Sequence, residues 1–241
     1  MGGAATSHEL FAELKETARR LGATSFGVAS VEAMQAAGLE CPAPELAHLP
    51  RAISVGYRLS DAVMETLRDR PTKLYAHHYR TVNLQLDRIA LELSMVIQDR
   101  GFDALPLAAS QIVDWEARRG QASHKWIAHF AGLGFLGRNS LLVNPEFGTR
   151  MRYVSVFTDA PLPTGSPREA DCGECTACVA ACPCDAVGAS RDDFDLERCT
   201  EQLRVFKTKG NVGHYICGLC IKACPGPERV QRRSLDQPNA D

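Results

Sequence analysis

Cysteine is the residue whose number and spacing in this chain most clearly predict chemistry. Nine of the ten cysteines in the 241-residue sequence lie between Cys172 and Cys224. In a reducing compartment thiols do not persist as disulfides, and closely spaced thiolates are good metal ligands. The clustering therefore predicts metal binding.

The cysteines form two runs. The first has the pattern C-x2-C-x2-C-x3-C-P, and its members are Cys172, Cys175, Cys178 and Cys182, followed by Pro183. The second has the pattern C-x2-C-x3-C-P, with one further cysteine upstream, and its members are Cys199, Cys217, Cys220 and Cys224. The first pattern is typical of bacterial two-cluster ferredoxins, in which the fourth cysteine ligates the other cluster.

Crossed ligation of this kind predicts two 4Fe–4S clusters. One cluster is expected on Cys172, Cys175, Cys178 and Cys224. The other is expected on Cys182, Cys199, Cys217 and Cys220. The alternative is a pair of structural zinc sites, because paired C-x2-C spacings also bind zinc. The x2-x2-x3-Pro spacing favours the clusters, and packing is expected for Cys41, Cys184 and His214.

A glycine-rich stretch lies upstream of the cysteines. Gly132, Gly134 and Gly137 form a literal G-x-G-x-x-G, which in dinucleotide-binding folds follows a strand and opens a helix. Here the predicted order is helix first and strand afterwards, which argues against that fold. We interpret the glycines as places where the backbone passes close to a flat or bulky cofactor.

The stretch AGLGFLGRNSLL at 131–142, then Gly148-Thr149-Arg150 and the two cysteine runs, resembles the epoxyqueuosine reductases, which are related to cobalamin-dependent reductive dehalogenases. The resemblance extends from about Ala52 to Pro225. It implies an α+β fold, with a nitroreductase-like cobalamin-binding core followed by a two-cluster ferredoxin-like module. It also implies that electrons pass from the clusters to a base-off cobalamin, which drives a reductive step.

The resemblance also implies site residues. Those expected near the corrinoid are His78, Tyr79, Gly134, Gly137, Arg138, Asn139, Ser140 and Gly148. Asp114 is the closest match to the proton donor of the family, although Trp115-Glu116-Ala117 departs from the usual continuation. The alternative for Asp114 is a solvated or capping carboxylate.

Hydrophobic periodicity predicts the elements that position these residues. Helices are expected from a capping box at Thr6 and Glu9, over 84–98, and over 123–131 with Ser123 as cap. Strands are expected at 25–29, 52–57, 140–143 and 152–158. We divide the chain into a corrinoid-binding core at 1–160, a ferredoxin-like module at 168–230 and a flexible tail at 231–241, with a proline-containing linker at 159–167.

Composition limits the partners. The formal net charge is −2 and no apolar run approaches the roughly 20 residues that a membrane helix needs, so we expect no membrane association and a cytoplasmic location. The N-terminus does not resemble a signal peptide. A local basic groove is the one feature that would favour nucleic acid, and its candidates are Arg118, Arg119, Lys125, Arg138, Arg150 and Arg152. A site for the corrinoid tail, or a solvated face, explains them equally well.

The function expected from these features is a cobalamin-dependent iron–sulfur reductase. Its electrons would come from a low-potential donor such as ferredoxin or flavodoxin. The substrate is expected to be a small molecule or a nucleoside, including epoxyqueuosine, and the absence of the family's C-terminal helical repeats argues against tRNA. The alternatives are an electron-transfer protein or reductive activase for a corrinoid on a partner protein, and an iron–sulfur protein that binds flavin.

Overall fold

The computed structural model describes residues 6–39, 48–114, 116, 119–210 and 212–228. Contacts divide the chain into two compact units. The first unit comprises 1–57, 82–133 and 152–168, and the second comprises 58–81, 134–151 and 169–241. The chain therefore passes between the units several times.

A four-stranded sheet forms the centre of the first unit. Its strands are β1 (Ser25–Ser30), β2 (Arg51–Arg58), β3 (Ala104–Pro106) and β6 (Met151–Thr158), in the order β1-β2-β6-β3. β1 pairs antiparallel with β2, with Ser25 opposite Gly56, and β3 pairs antiparallel with β6, with Ala104 opposite Thr158. Strands and helices are mixed along the chain with antiparallel pairing, which is the α+β class expected from the sequence.

Each helix that the sequence predicts for this unit is present, although the bounds of α4 differ from the predicted ones. α1 (Ser7–Arg20) starts at a complete capping box, in which Thr6 and Glu9 satisfy each other's backbone amides. α4 (Lys73–Asp99) starts earlier than the predicted 84–98, and α5 (His124–Phe130) follows Ser123 at the N-cap. The structure adds a short α2 (Val31–Ala36), which the periodicity of the sequence does not reveal.

Apolar side chains from β1, α2, β2 and α5 form one buried cluster. Its members are Ala29, Val31, Met34, Leu49, Ala52, Leu107, Ile127, Phe130, Ala131 and Phe157. The inner face of α4 is fully buried over the predicted positions Leu86, Ile89, Ala90, Leu93 and Ile97. Burial of this many large aliphatic side chains, at about 1.5–3 kcal/mol each, explains why the unit folds around its sheet.

One histidine is built into the interior of the first unit. Both ring nitrogens of His124 are hydrogen-bonded. Nδ1 lies 2.9 Å from Ser155 Oγ, and Nε2 lies 3.0 Å from the Ala108 carbonyl oxygen. A carbonyl can only accept, so Nε2 carries the proton and the Ser155 hydroxyl donates to Nδ1. Burial lowers the pKa of His124, and Arg152 lowers it further. The ring is therefore held neutral.

The second unit is made of shorter elements. They are α3 (Asp61–Glu65), the first turns of α4, the paired strands β4 (Phe135–Leu136) and β5 (Leu142–Val143), α6 (Ala177–Ala180), α7 (Leu196–Thr208) and α8 (Leu219–Lys222). The strand predicted at 140–143 is shorter than expected, because 137–141 turns back so that β5 pairs with β4. The glycine stretch does lie after a helix and before a strand, as predicted.

Composition predicts the boundary between the core and the ferredoxin-like module at 160–168. In the structure, segments 58–81 and 134–151 belong to the same compact unit as the cysteine-containing stretch. Segment 159–167 has no helix or strand, but it packs on the first unit: Ala160 and Leu162 are buried, and Gly165 donates to the Val28 carbonyl at 2.8 Å. It is therefore not a free linker. Within the described residues, no helix is long and apolar enough to cross a membrane.

Candidate functional site

The cysteines of the second unit lie on three short helices and on the loops beside them. Cys178, Cys199 and Cys220 belong to α6, α7 and α8. The others occupy the adjoining loops, and Cys41 lies outside the described residues. All nine of the described cysteines are free thiols, and Cys178 is the most buried of them at 7% exposure.

The first predicted set of four cysteines is close together. Burial raises the pKa of Cys178, and the nearby sulfurs of Cys224, Cys172 and Cys175 raise it further. Burial also raises the pKa of Cys224, against hydrogen bonds from Thr149 that lower it. Cys178 thus interacts electrostatically with the three partners that crossed ligation assigns to it.

The second set is also close together. Burial raises the pKa of Cys199 to about 11, and the sulfurs of Cys217 and Cys182 add to the shift. Burial, followed by the sulfurs of Cys217, Cys199, Cys182 and Cys178, raises the pKa of Cys220 as well, so Cys220 is also close to one cysteine of the first set. Thiols with raised pKa values stay protonated at neutral pH, so a metal cluster would have to displace protons to bind them.

The donor set fits two iron–sulfur clusters, since each group offers four cysteine sulfurs. Among the described residues, no three His, Cys, Asp or Glu side chains are arranged to hold a single metal ion. The assignment of individual cysteines to clusters remains a prediction.

Arg138 ties the first cysteine loop to the glycine stretch. Its guanidinium donates to the carbonyl oxygens of Cys175 at 2.7 Å and Gly173 at 2.8 Å, and also to that of Ala189. A planar guanidinium with five donors suits several carbonyls at once. The contacts described for Arg138 thus position the cysteine loop, and its predicted role at a corrinoid remains untested.

Three glycines of the predicted corrinoid site lie against other parts of the protein, Gly134 and Gly148 against backbone and Gly137 against side chains. A Cβ on Gly134 would lie 2.2 Å from the Val143 carbonyl oxygen. A Cβ on Gly148, which has φ +61°, would lie 2.1 Å from the Cys224 carbonyl oxygen. A Cβ on Gly137 would lie 2.7 Å from Val143 Cγ2 and 3.3 Å from Cys172 Sγ. These glycines allow close approach between parts of the chain, and their predicted place at a corrinoid stays a prediction.

Arg150 anchors α8, which carries Cys220. Its side chain is only 8% exposed and forms ion pairs with Asp61 at 2.9 Å and Glu65 at 3.1 Å. It also donates to the carbonyl oxygen of Lys222, and Lys222 Nζ in turn donates to the Leu67 carbonyl at 2.7 Å. These bonds join segment 58–81 to the second cysteine run.

The start of α4 packs on the same run. Tyr75 is 1% exposed, and a Cβ on Gly218, which has φ +87°, would lie 2.8 Å from its ring. The ring of Tyr79 lies 6.4 Å from that of His214, and the packing role of His214 stays a prediction. His78 is partly buried and accepts from the Ser60 amide at 3.0 Å, and burial lowers its pKa. His78 and Tyr79 thus lie in the unit that holds the cysteines.

Asn139 and Ser140 occupy the turn between β4 and β5. Asn139 is 3% exposed, with Nδ2 3.5 Å from Thr149 Oγ1. Ser140 has φ +56°, a conformation that is uncommon for residues other than glycine and concentrates at functional sites. The corrinoid contact predicted for these two residues stays a prediction, as it does for His78, Tyr79, Gly134, Gly137, Arg138 and Gly148.

Asp114 lies in the first unit, in a tight exposed loop. Its Oδ1 accepts from the Glu116 amide at 2.9 Å, and its backbone pairs with Arg119. These contacts are those of a turn-capping carboxylate, and the proposed proton-donor role stays a prediction. Of the predicted basic groove, Arg118 lies outside the described residues, while Arg152 donates to Asn83 Oδ1 and to the Ala109 carbonyl, both at 3.0 Å.

A cleft of about 590 Å³ opens beside Cys182 and Pro183. Its wall also includes Arg150, Lys222 and Pro225. Sequence reasoning singled out neither Arg150 nor Lys222 as structural partners of the cysteine run. The signal that could have found Arg150 is its place directly after Gly148-Thr149, within the stretch that carries the family resemblance.

Curated relatives of the chain are epoxyqueuosine reductases. The protein from Synechococcus sp. is 32% identical over 174 residues, which are 67% of this chain and 49% of that protein. The protein from Vibrio cholerae is 33% identical over 108 residues, which are 41% of this chain and 29% of that protein. The chain therefore spans half or less of the length of these relatives. No protein-family model matches it.

Solved structures share the fold. An epoxyqueuosine reductase bound to an epoxyqueuosine-modified tRNA stem loop has a TM-score of 0.61 at 20% identity, covering 92% of this chain and 66% of that one. A reductive dehalogenase described as B12-dependent has a TM-score of 0.72 at 19% identity, covering 98% of this chain and 35% of that one. The resemblance predicted from the sequence is thus confirmed: the chain has curated homologues named epoxyqueuosine reductase, and its structural neighbours include these enzymes and the cobalamin-dependent reductive dehalogenases.

Proposed function

We propose that this chain is an iron–sulfur oxidoreductase that passes electrons from two 4Fe–4S clusters to a bound cobalamin for the reduction of a substrate. The observation that carries the proposal is that the cysteines of both runs lie within one compact unit, with Cys178 close to Cys172, Cys175 and Cys224, and Cys199 close to Cys182 and Cys217. The similarity to epoxyqueuosine reductases supports the reductase class and does not favour the activase alternative.

In this proposal the cysteines bind two adjacent 4Fe–4S clusters. Cys172, Cys175, Cys178 and Cys224 hold the first, and Cys182, Cys199, Cys217 and Cys220 hold the second. Because each run contributes a ligand to the other set, the two cubes are near neighbours, which suits stepwise electron transfer. Arg138 and Arg150 fix the loops that carry these thiolates, through the carbonyl contacts described above.

Cobalamin, when bound, would supply a reducible cobalt centre for the difficult chemical step, while the protein binds, orients and supplies protons. Epoxyqueuosine is the first substrate to test, as the free nucleoside and within a tRNA stem loop. Removal of an epoxide oxygen to leave an alkene consumes an electron pair and protons and releases water. A low-potential donor such as ferredoxin or flavodoxin supplies the electrons in this scheme.

The first test is anaerobic expression with hydroxocobalamin, followed by iron, sulfide and cobalt analysis and an absorption spectrum. We expect about eight irons per chain, as two 4Fe–4S clusters require, together with bound cobalt. Purified protein is then given reduced ferredoxin and epoxyqueuosine, and mass spectrometry follows loss of the epoxide oxygen. Zinc in place of iron would overturn the cluster assignment, and iron without cobalt would overturn the cobalamin step.

Asp114 is the candidate proton donor, and a general acid must come within hydrogen-bond reach of its substrate. We expect Asp114→Asn to lower turnover at least 100-fold, the usual scale of general acid catalysis being about 100- to 10,000-fold, with iron and cobalt loading unchanged. Glu116→Gln, in the same exposed loop, is the matched control. Equal turnover in the two variants would leave Asp114 as a turn-capping residue.

A further inference from the structure

A fifth sulfur, which a 4Fe–4S cube does not need, lies beside the four cysteines of the second set. Cys184 Sγ lies 3.9 Å from Cys182 Sγ. Cys184 is also close enough to Cys217 and Cys199 to interact with them electrostatically. Five sulfurs therefore lie together where four are required, whereas the first set has four.

The turn after Cys182 holds the fifth sulfur in this place. Asp185 adopts φ +52°, a left-handed conformation that reverses the chain at a cost of about 1–2 kcal/mol for a residue with a Cβ. The reversal brings the Ala186 amide to Cys182 Sγ, to which it donates at 3.3 Å. Ala186 is 1% exposed, and its carbonyl accepts from the Asp195 amide at 2.9 Å. The turn is therefore fixed at both ends, and Cys184 lies within it.

Packing does not account for Cys184. A cysteine that serves packing is typically among the most buried residues of a protein. Cys184 is partly exposed, as are Cys182, Cys199, Cys217 and Cys220, the predicted ligands beside it. Its surroundings are thus those of the ligand set.

We propose that Cys184 is a spare ligand of the second cluster, able to occupy the iron corner otherwise held by Cys182. In the exchange, the Cys184 thiol gives up its proton and binds iron as a thiolate, while the Cys182 sulfur leaves the iron and takes up a proton. No electron is gained or lost. The proposal rests on the proposed function, since it requires the second cluster.

The test compares four variants after anaerobic reconstitution: Cys182→Ala, Cys184→Ala, the double variant, and Cys220→Ala. Iron and sulfide are counted per chain, and the electron paramagnetic resonance spectrum of the dithionite-reduced protein is recorded. Each single variant at 182 or 184 is expected to keep about eight irons, because the remaining thiol completes the site. The double variant and Cys220→Ala, which lacks a spare neighbour, are expected to keep about half of that iron.

Two results would overturn the proposal. One is loss of half of the iron from Cys182→Ala alone, which would show that Cys184 cannot take the corner. The other is full iron in the double variant, which would show that neither thiol is needed. Wild-type protein without iron would instead refute the proposed function.

A second pair of variants guards against a misfolded Cys182→Ala. Cys182→Ser keeps the size of the side chain, and it is compared with the same substitution combined with Cys184→Ala. Iodoacetamide labelling of the native proteins adds a direct readout: we expect Cys184 to be labelled in the wild type and protected in Cys182→Ser. Equal labelling of Cys184 in both proteins would also contradict the proposal.

Discussion

The two compact units differ in what stabilises them. The first unit has a four-stranded sheet, a buried apolar cluster and the fully buried inner face of α4. The second has paired strands of two residues each and helices α6 and α8 of four residues each. It also has fully buried apolar side chains, such as Leu59, Met64 and Leu67, together with arginine–carbonyl bonds, the ion pairs of Arg150 and glycines packed against backbone. The first unit folds around its sheet and apolar cluster, and we expect the second to depend in addition on the proposed iron–sulfur clusters.

Removal of iron tests this contrast with the largest expected effect. Binding of metal by ligands that are not preformed in the unfolded chain contributes directly to folding, so chelation should loosen the second unit. We expect amide exchange in 172–226 to rise at least tenfold after chelation, while β2 and β6 keep their protection. Hydrogen exchange with mass spectrometry measures both regions in one sample. An equal loss of protection in both regions would contradict the contrast.

Gly148→Ala tests the close backbone packing beside Cys224. The new Cβ would meet the Cys224 carbonyl oxygen at 2.1 Å and the Gly226 amide nitrogen at 2.4 Å, so the backbone must move. We expect a loss of about 3 kcal/mol or more in the free energy of unfolding, and reduced iron content. Gly213→Ala is the control, because Gly213 has a similar φ of +74° but no heavy atom within 4 Å. It should cost about 1–2 kcal/mol, and equal losses in urea titrations would contradict the steric account.

Arg138→Ala tests the carbonyl clamp on the first cysteine loop. Charged hydrogen bonds contribute about 1.5–3 kcal/mol, and the partial exposure of this side chain places the expected loss near about 2 kcal/mol. We expect the variant to retain less of the first cluster. The iron content per chain and the electron paramagnetic resonance spectrum of the reduced protein measure this loss. Arg70→Ala removes an exposed ion pair with its neighbour Asp69 and should change stability by less than about 0.5 kcal/mol. Full retention of iron by Arg138→Ala would show that the loop holds its shape unaided.

The smallest effect concerns His124 in the first unit. Its pKa is lower in the folded chain than the ordinary value near 6.5, so the unfolded chain takes up a proton first as the pH falls. The neutral His124 ring therefore contributes fully to the free energy of unfolding above about pH 6.5. This contribution is lost as the pH falls toward the pKa of His124 in the folded chain, by at most about 1.4 kcal/mol per pH unit. His124→Gln should flatten this dependence in urea titrations, whereas His48→Gln, at an exposed residue, should not. The same slope in both variants would assign the dependence to other groups.

Much of the fold could be predicted from local patterns. The capping box at Thr6 and Glu9, the strands near 25–30, 51–58 and 151–158, and the buried face of α4 all follow from short-range spacing, and the structure has each of them. α7 is not among the helices predicted from the sequence, although the Asp195 side chain caps this helix by accepting a hydrogen bond from the Arg198 amide. Its apolar residues Leu196, Cys199, Leu203 and Phe206 recur at helical spacing after a capping aspartate, and that pattern could have predicted the helix.

The site was predicted unevenly for a physical reason. The cysteine sets depend on spacing within short runs, which the sequence displays directly. The contacts of Arg138 and Arg150 join residues more than 30 positions apart, and nothing local marks them. The glycines lie where other parts of the chain approach closely, and their predicted place at a corrinoid stays a prediction.

The sequence by itself determined the chemistry this chain can offer: two sets of cysteine sulfurs, a family resemblance and an α+β pattern, because residue type and short spacing are local properties. Only the tertiary structure decided that segments 58–81 and 134–151 pack with the cysteine runs, and that Cys184 lies close to Cys199 and Cys217. Such contacts depend on how the chain returns on itself, since backbone sterics and burial act between residues that are distant in sequence.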